Sequence, residues 1–214
     1  MDKYQVAIVI PAFNEESTIF NVVQSVAQYG VVIVVNDAST DKTKQMAEGA
    51  GAILVNHKEN KGYDGALNSG FAKAKELNCD VIITFDADGQ HNQKFIKKYI
   101  DLLEQGFEIV IGTRNKFQRI SEYIFSWVAI WKWGIKDPLC GMKAYRIDVF
   151  NQLGCFDSYG SIGTELSIYA AYKDIKIAQQ PIEIKDRQDK PRFGGSFSAN
   201  MIILHALWLG FRKY

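Results

Sequence analysis

Long apolar runs, cysteine, proline and net charge are all scarce in this chain of 214 residues. No stretch approaches the roughly 20 consecutive apolar residues that a membrane-crossing helix needs, so none is expected. The start, Met1-Asp2-Lys3-Tyr4-Gln5, has neither the basic nor the apolar region of a secretory signal. Three cysteines occur, Cys79, Cys140 and Cys155. Odd in number and scattered, they fit no disulfide framework or zinc site and read as reduced thiols. A formal charge of +1 gives no electrostatic case for nucleic acid. With four prolines, and no repeat, low-complexity tract or Pro/Ser linker, nothing divides the chain. A single cytoplasmic domain over residues 1–214 is the expectation, since this length suits one substantial core.

Two phosphate-binding signatures are missing as well. A simple dinucleotide fold would carry Gly-x-Gly-x-x-Gly after its first strand, where this chain has Pro11-Ala12-Phe13-Asn14-Glu15. The Gly-x-x-x-x-Gly-Lys-Ser/Thr loop is absent too. Any phosphate bound here must be met by a cation or by basic side chains.

What is present is a regular alternation. Apolar runs at 6–10, 31–35, 52–55, 81–85 and 107–111 read as strands, and 15–29, 41–49, 62–77 and 92–105 as the helices between them. Continuous apolar strands separated by helices indicate an α/β fold with a mostly parallel sheet covered on both faces. Beyond Gly112 the pattern loosens. Residues 120–133 and 164–172 read as helices, 140–145 and 177–184 as strands, and 185–195 as a polar loop before a C-terminal apolar helix.

The fourth apolar run ends in Phe85-Asp86-Ala87-Asp88-Gly89-Gln90-His91. Residues i and i+2 of an extended segment point the same way, so Asp86 and Asp88 can converge on one hard cation, Mg²⁺ or Mn²⁺. A solvated turn is the competing reading, since Asp and Gly are favoured there. Polar residues gather after the other strands too: Pro11, Asn14 and Glu15; Asn36, Asp37 and Ser39; Thr113 and Arg114. A parallel sheet brings such ends to one rim, where open α/β folds bind ligands. Helix capping explains some of them, for example Asp37 or Ser39 before the second helix and Asn92 before the fourth. It does not explain four clusters at corresponding positions.

The order Val9-Ile10-Pro11-Ala12-Phe13-Asn14-Glu15, Val34-Val35-Asn36-Asp37-Ala38-Ser39, Asn60-Lys61-Gly62-Tyr63-Asp64-Gly65 and Asp86-Ala87-Asp88-Gly89-Gln90-His91 resembles the family 2 glycosyltransferases of GT-A fold. Asp137-Pro138-Leu139-Cys140-Gly141-Met142-Lys143 and Arg192-Phe193-Gly194-Gly195-Ser196 are similar to two segments of the dolichyl-phosphate-mannose-synthase-like branch. There Met142-Lys143 stands in place of Phe-Arg, and Gly195 is an extra residue. The resemblance implies a donor half over 1–115 and an acceptor half over 116–214. Pro11, Asn14, Glu15, Asp37, Lys61, Gly62, Gly65, Asp86, Ala87 and Asp88 would meet the nucleotide sugar, with Asp37 accepting a hydrogen bond from the base. Asp88 and Gln90 would hold the cation, His91 being a less secure ligand.

An inverting transfer to a hydroxyl needs a base, and Asp137 and Glu165 are the candidates. Asp137 also suits a turn before Pro138, and Glu165 a helix start. An anionic lipid-phosphate acceptor needs no base, and Arg114 and Arg192 would then position its oxygens. The implied partners are a nucleotide-sugar donor and a polyprenyl-phosphate, lipid-linked or surface-glycan acceptor, with self-association open. A sugar-phosphate nucleotidyltransferase would carry a Gly-rich, Arg-containing loop after the first strand. A dehalogenase-type phosphatase would place its Asp-x-Asp after that strand. A non-catalytic nucleotide-sugar-binding protein would lose the metal or base residues. Finally, Trp127, Trp131 and Trp133 and the apolar stretch Met201–Phe211 before Arg212-Lys213 suit a helix surface lying on a membrane.

Overall fold

Side chains alternate faces along a strand, and in β1 (Val6–Ala12) both faces are apolar. Ile8 and Ile10 enter one core with Val34 and Ile83, while Ala7 and Val9 enter another with Ile33, Val35 and Ile82. This two-sided burial is the origin of the unbroken apolar runs in the sequence. The computed structural model describes residues 4–184 and 196–214.

The strands are β1, β2 (Val31–Asn36), β3 (Ile53–Asn56), β4 (Val81–Thr84), β5 (Ile109–Arg114), β6 (Lys143–Arg146) and β7 (Ile177–Ile182). They form one seven-stranded sheet in the order β3-β2-β1-β4-β6-β5-β7. All neighbours pair in parallel except β6, which runs antiparallel between β4 and β5. The α/β, mostly parallel expectation holds. Because β6 is reversed, its first residue, Lys143, sits at the rim where the parallel strands end.

Helices α1 (Ile19–Val26), α2 (Thr43–Gly49) and α4 (Lys94–Glu104) cover one face, and α3 (Gly62–Glu76), α6 (Ile147–Leu153) and α7 (Glu165–Tyr172) the other. Gly70 lets α3 lie directly on the sheet: a Cβ there would fall 2.2 Å from Val9 Cγ1. Helices α5 (Ile120–Trp133) and α8 (Ser196–Lys213) share a separate apolar cluster of Phe125, Ala129, Ile203, Ala206 and Leu207.

Several expected boundaries shift by a few residues, two of them for plain local reasons. The helix read from Glu15 begins at Ile19, because Asn14 is left-handed and residues 15–18 form a turn closed by Thr18 and Ile19 N–H donating to the Glu15 carbonyl. The strand read from Cys140 begins at Lys143, because Asp137–Met142 forms a loop whose Gly141 carbonyl accepts from Thr84 Oγ1 at 2.6 Å. Cys79 and Cys140 are buried, Cys155 is half-buried, and all three are unpaired.

Candidate active site

The ends of β1, β2 and β4 meet the start of β6 around a cavity of about 460 Å³. Pro11, Glu15, Asp37, Gly62, Asp86, Ala87 and Asp88 line it, as the rim argument requires. Asn14 lies behind that wall, stitching two strand ends together. Its N–H donates to Ser39 Oγ at 3.0 Å and its Oδ1 accepts from Thr40 N–H at 2.9 Å.

Asp37 is buried and its carboxylate is heavily engaged. Oδ1 accepts from Lys61 N–H and Oδ2 from Gly62 N–H, both at 2.8 Å. A carboxylate is thus placed on the exposed N–H groups at the start of α3, where the helix dipole favours it. His57 Nδ1 lies 2.6 Å from Oδ1, and its Nε2 lies 2.8 Å from Ser69 Oγ. Asp37 therefore fixes Lys61 and the first turn of α3, which holds Gly62 and Gly65, as well as the cavity wall.

Asp86 stands on the shared wall of the first cavity and a second one. Its Oδ2 lies 2.8 Å from His91 Nε2, and Tyr63 OH reaches Oδ1 at 3.5 Å. Burial alone would raise its pKa, but the His91 hydrogen bond and the charges of Arg114 and Lys143 hold it below the ordinary value. Gly141 presses against it: a Cβ there would fall 2.1 Å from Asp86 Oδ2. Only glycine fits that spot.

The second cavity, of about 690 Å³, is lined by Gln90, His91, Arg114, Lys116 and Gln118 together with Asp86. Arg114 is locked by Asp137, with Nε to Oδ2 at 2.7 Å and Nη2 to Oδ1 at 2.9 Å. Its Nη1 lies 3.1 Å from Glu122. Despite burial, these carboxylates push its pKa upward, so it is a fixed cation.

The two carboxylates considered as bases are otherwise engaged. Asp137, 1% exposed, spends both oxygens on Arg114. Glu165, 0% exposed, accepts from Ser158 N–H at 2.5 Å, Tyr214 OH at 2.9 Å and Lys213 Nζ. Neither lines either cavity. Arg192 lies outside the described residues.

Asp88 turns back on its own loop, Oδ1 accepting from Gln90 N–H at 3.0 Å. Among the described residues no three His, Cys, Asp or Glu side chains form a cation cage. An open set of one or two carboxylates completed by substrate phosphates is the usual way Mg²⁺ is held. Asp86 on the wall of both cavities, Asp88 on the first and Gln90 on the second could supply such a set.

Sequence reasoning gave no role to Tyr63, Asn60, Ile162 or Lys143, all on the first cavity wall. Lys143 could have been found from its place in the 137–143 segment. Its Nζ donates to the Gly163 carbonyl at 2.6 Å, and burial lowers its pKa to about 8 against the pull of nearby acidic groups. Ile162 carried no signal, because it reaches the cavity on a loop distant in sequence. Its N–H and that of Gly163 are held by Asp64.

The family described as Glycosyl transferase family 2 matches residues 7–154. A UDP-N-acetylglucosamine–dolichyl-phosphate N-acetylglucosaminyltransferase of Methanococcus voltae is 38% identical over 129 residues, 51% of each chain. The dolichyl-phosphate hexose transferase of Haloferax volcanii is 26% identical over 214 residues, covering 92% of both chains. Among solved structures, glucosyl-3-phosphoglycerate synthase from Mycobacterium tuberculosis with Mn²⁺ and UDP-glucose superposes with a TM-score of 0.78. It is 19% identical and covers 97% of this chain and 79% of that one. The same enzyme has been solved with Mg²⁺ and UDP.

Proposed function

This chain belongs to glycosyl transferase family 2, and we propose that it transfers a sugar from a nucleotide-sugar donor to a polyprenyl phosphate. One observation carries the reading. An acidic cavity and a cavity walled by Arg114 and Lys116 adjoin at Asp86, so a donor diphosphate and an anionic acceptor can meet there.

In this reading Pro11, Glu15 and Asp37, braced from behind by Asn14, frame the nucleoside together with Lys61 and the first turn of α3 through Gly62 and Gly65. Asp86 and Ala87 face the ribose. Asp88 and Gln90, beside Asp86, would hold Mg²⁺ or Mn²⁺, which when bound offsets the charge gathering on the departing diphosphate. Arg114, fixed by Asp137 and Glu122, orients acceptor phosphate oxygens, with Arg192 as a second candidate cation. An acceptor phosphate is already ionised and attacks without a base. The engagement of Asp137 and Glu165 elsewhere favours that acceptor over a glycan hydroxyl. The dolichyl-phosphate enzymes among the relatives support the same choice.

The test is a matrix of UDP-, GDP-, CDP- and dTDP-sugars against a short polyprenyl phosphate and a free oligosaccharide, with Mn²⁺ or Mg²⁺. One donor should yield nucleoside diphosphate and glycosylated lipid phosphate. Transfer to the oligosaccharide alone would overturn the acceptor assignment.

A further inference from the structure

Helices α5 and α8 lie side by side and parallel. Ser121 Oγ donates to Asn200 Oδ1 at 2.5 Å, and Lys132 Nζ donates to the Phe211 carbonyl at 2.8 Å. Both pairs are 79 residues apart, so the two helices advance in step. Their inward residues, Phe125, Ala129, Ile203, Ala206 and Leu207, form the small cluster that fastens them to the body. Most of their outward residues are apolar as well, Ser198 and His205 of α8 being exposed exceptions. Ile120, Ile124, Trp127 and Trp131 form one ridge, with Trp127 73% and Trp131 75% exposed. Phe197, Met201 and Trp208 form the other, with Phe197 81% exposed. Apolar surface of this extent marks an interaction site.

Charge decides what it meets. Around α5, residues 115–136 carry Lys116, Arg119, Lys132 and Lys136, and their one acid, Glu122, is buried against Arg114 and Arg119. Residues 196–214 carry Arg212 and Lys213, the second paired with Glu165 of α7, and no acid of their own. A second copy would set basic flank against basic flank, whereas an anionic bilayer complements this charge. Tryptophan on the apolar ridge with cations at its edges is the composition of a surface lying at headgroup depth. No helix among the described residues is long and apolar enough to cross the bilayer.

We propose that the α5–α8 face docks the protein on an anionic lipid bilayer, the segment 114–118 forming the seam between membrane and acceptor cavity. That segment lines the second cavity and runs straight into α5, and Phe117 on the cavity wall packs edge-on against Tyr123 of α5 at 5.0 Å. A lipid tail leaving the cavity along this seam arrives at the apolar ridge. This orientation of the acceptor rests on the polyprenyl-phosphate reading; the docking itself does not.

The experiment is vesicle sedimentation of the full chain with phosphatidylcholine alone and with added phosphatidylglycerol, at low and high salt. The protein should pellet with the anionic vesicles and be released by salt. The double variant Trp127→Ser, Trp131→Ser should bind them about tenfold more weakly. Both side chains are solvent-exposed, so its melting temperature should match wild type, as should transfer to a detergent-dispersed acceptor. A wild-type protein left in the supernatant at low salt overturns the proposal. So does a stable dimer, seen by sedimentation velocity, that the double variant dissociates. Vesicle binding without polyprenyl-phosphate transfer would leave docking standing and remove the acceptor reading instead.

Discussion

Arg114 and Asp137 form a two-pronged pair at 2.7 and 2.9 Å, closed further by the Arg114 backbone N–H donating to Asp137 Oδ2 at 3.0 Å. The end of β5 is thereby tied to the loop before β6. The planar guanidinium has one geometry in this fork, which a lysine ammonium would not reproduce. Asp137 is thus a positioning residue, acting on any ligand through Arg114.

Asp137→Ala should destabilise the protein by about 1–3 kcal/mol, since Glu122 still pairs Arg114, read as a lowered denaturation midpoint. The milder Asp137→Asn should raise the acceptor KM and leave the pH dependence of kcat unchanged. A general base would behave otherwise. Losing it would cost about 10²–10⁴ in kcat and remove the acidic limb of the profile.

Asp88→Asn should abolish metal-stimulated turnover while the melting temperature stays within a degree or so of wild type, because a half-exposed rim carboxylate contributes little to the core. Excess EDTA should silence the wild type equally. Full activity under either condition removes the metal from the reaction.

The fold was legible because two-sided burial leaves a plain trace, apolar runs of strand length between helices. The rim clusters were legible for a related reason, since strand ends in a parallel sheet fall together. What could not be read was commitment. Asp37, Asp137 and Glu165 are each the residue type a catalyst would use. Only the folded chain places Asp37 on the start of α3, Asp137 on Arg114 and Glu165 on Tyr214. These partners lie 20 or more residues away, and local pattern is silent at that range.

Asp37→Ala is expected to act twice. Two backbone N–H groups at the start of α3 and His57 lose their acceptor, which should cost about 1–3 kcal/mol of stability. The loosened start of α3 should also weaken nucleotide binding, measured by calorimetry. Unchanged nucleotide affinity would place the nucleoside away from this wall.

Lys143 predicts a pH effect of definite sign. Its folded pKa is lowered from 10.5 to about 8, so on the first cavity wall it is a cation below that pH and neutral above it. Affinity for the anionic donor should fall as pH rises through about 8. Lys143→Arg, which stays charged, should hold its affinity across the same range. Stability runs the other way. Between 8 and 10.5 the unfolded chain binds the extra proton, so the Lys143 contribution grows more favourable with rising pH. A flat donor affinity from pH 7 to 9 in the wild type would remove Lys143 from donor binding.

Glu165 distinguishes a staple from a catalyst most sharply. Fully buried, it gathers Ser158, Lys213 and Tyr214, tying the end of α8 to the start of α7. Lys213 is 41% exposed, so that pairing is screened and contributes little alone. The larger effect comes from losing the buried carboxylate itself, the shared acceptor of the Ser158 N–H, the Ser158 hydroxyl and the Tyr214 hydroxyl. Glu165→Ala should therefore lower the melting temperature and speed proteolysis within α8, and weaken vesicle binding along with it. Glu165→Gln, which can still accept from Ser158 and Tyr214, should recover most of the melting temperature and retain turnover at a normal pH profile. A Glu165→Gln protein that melts like wild type and transfers no sugar would instead make Glu165 part of the chemistry, and would bring a hydroxyl acceptor back into consideration.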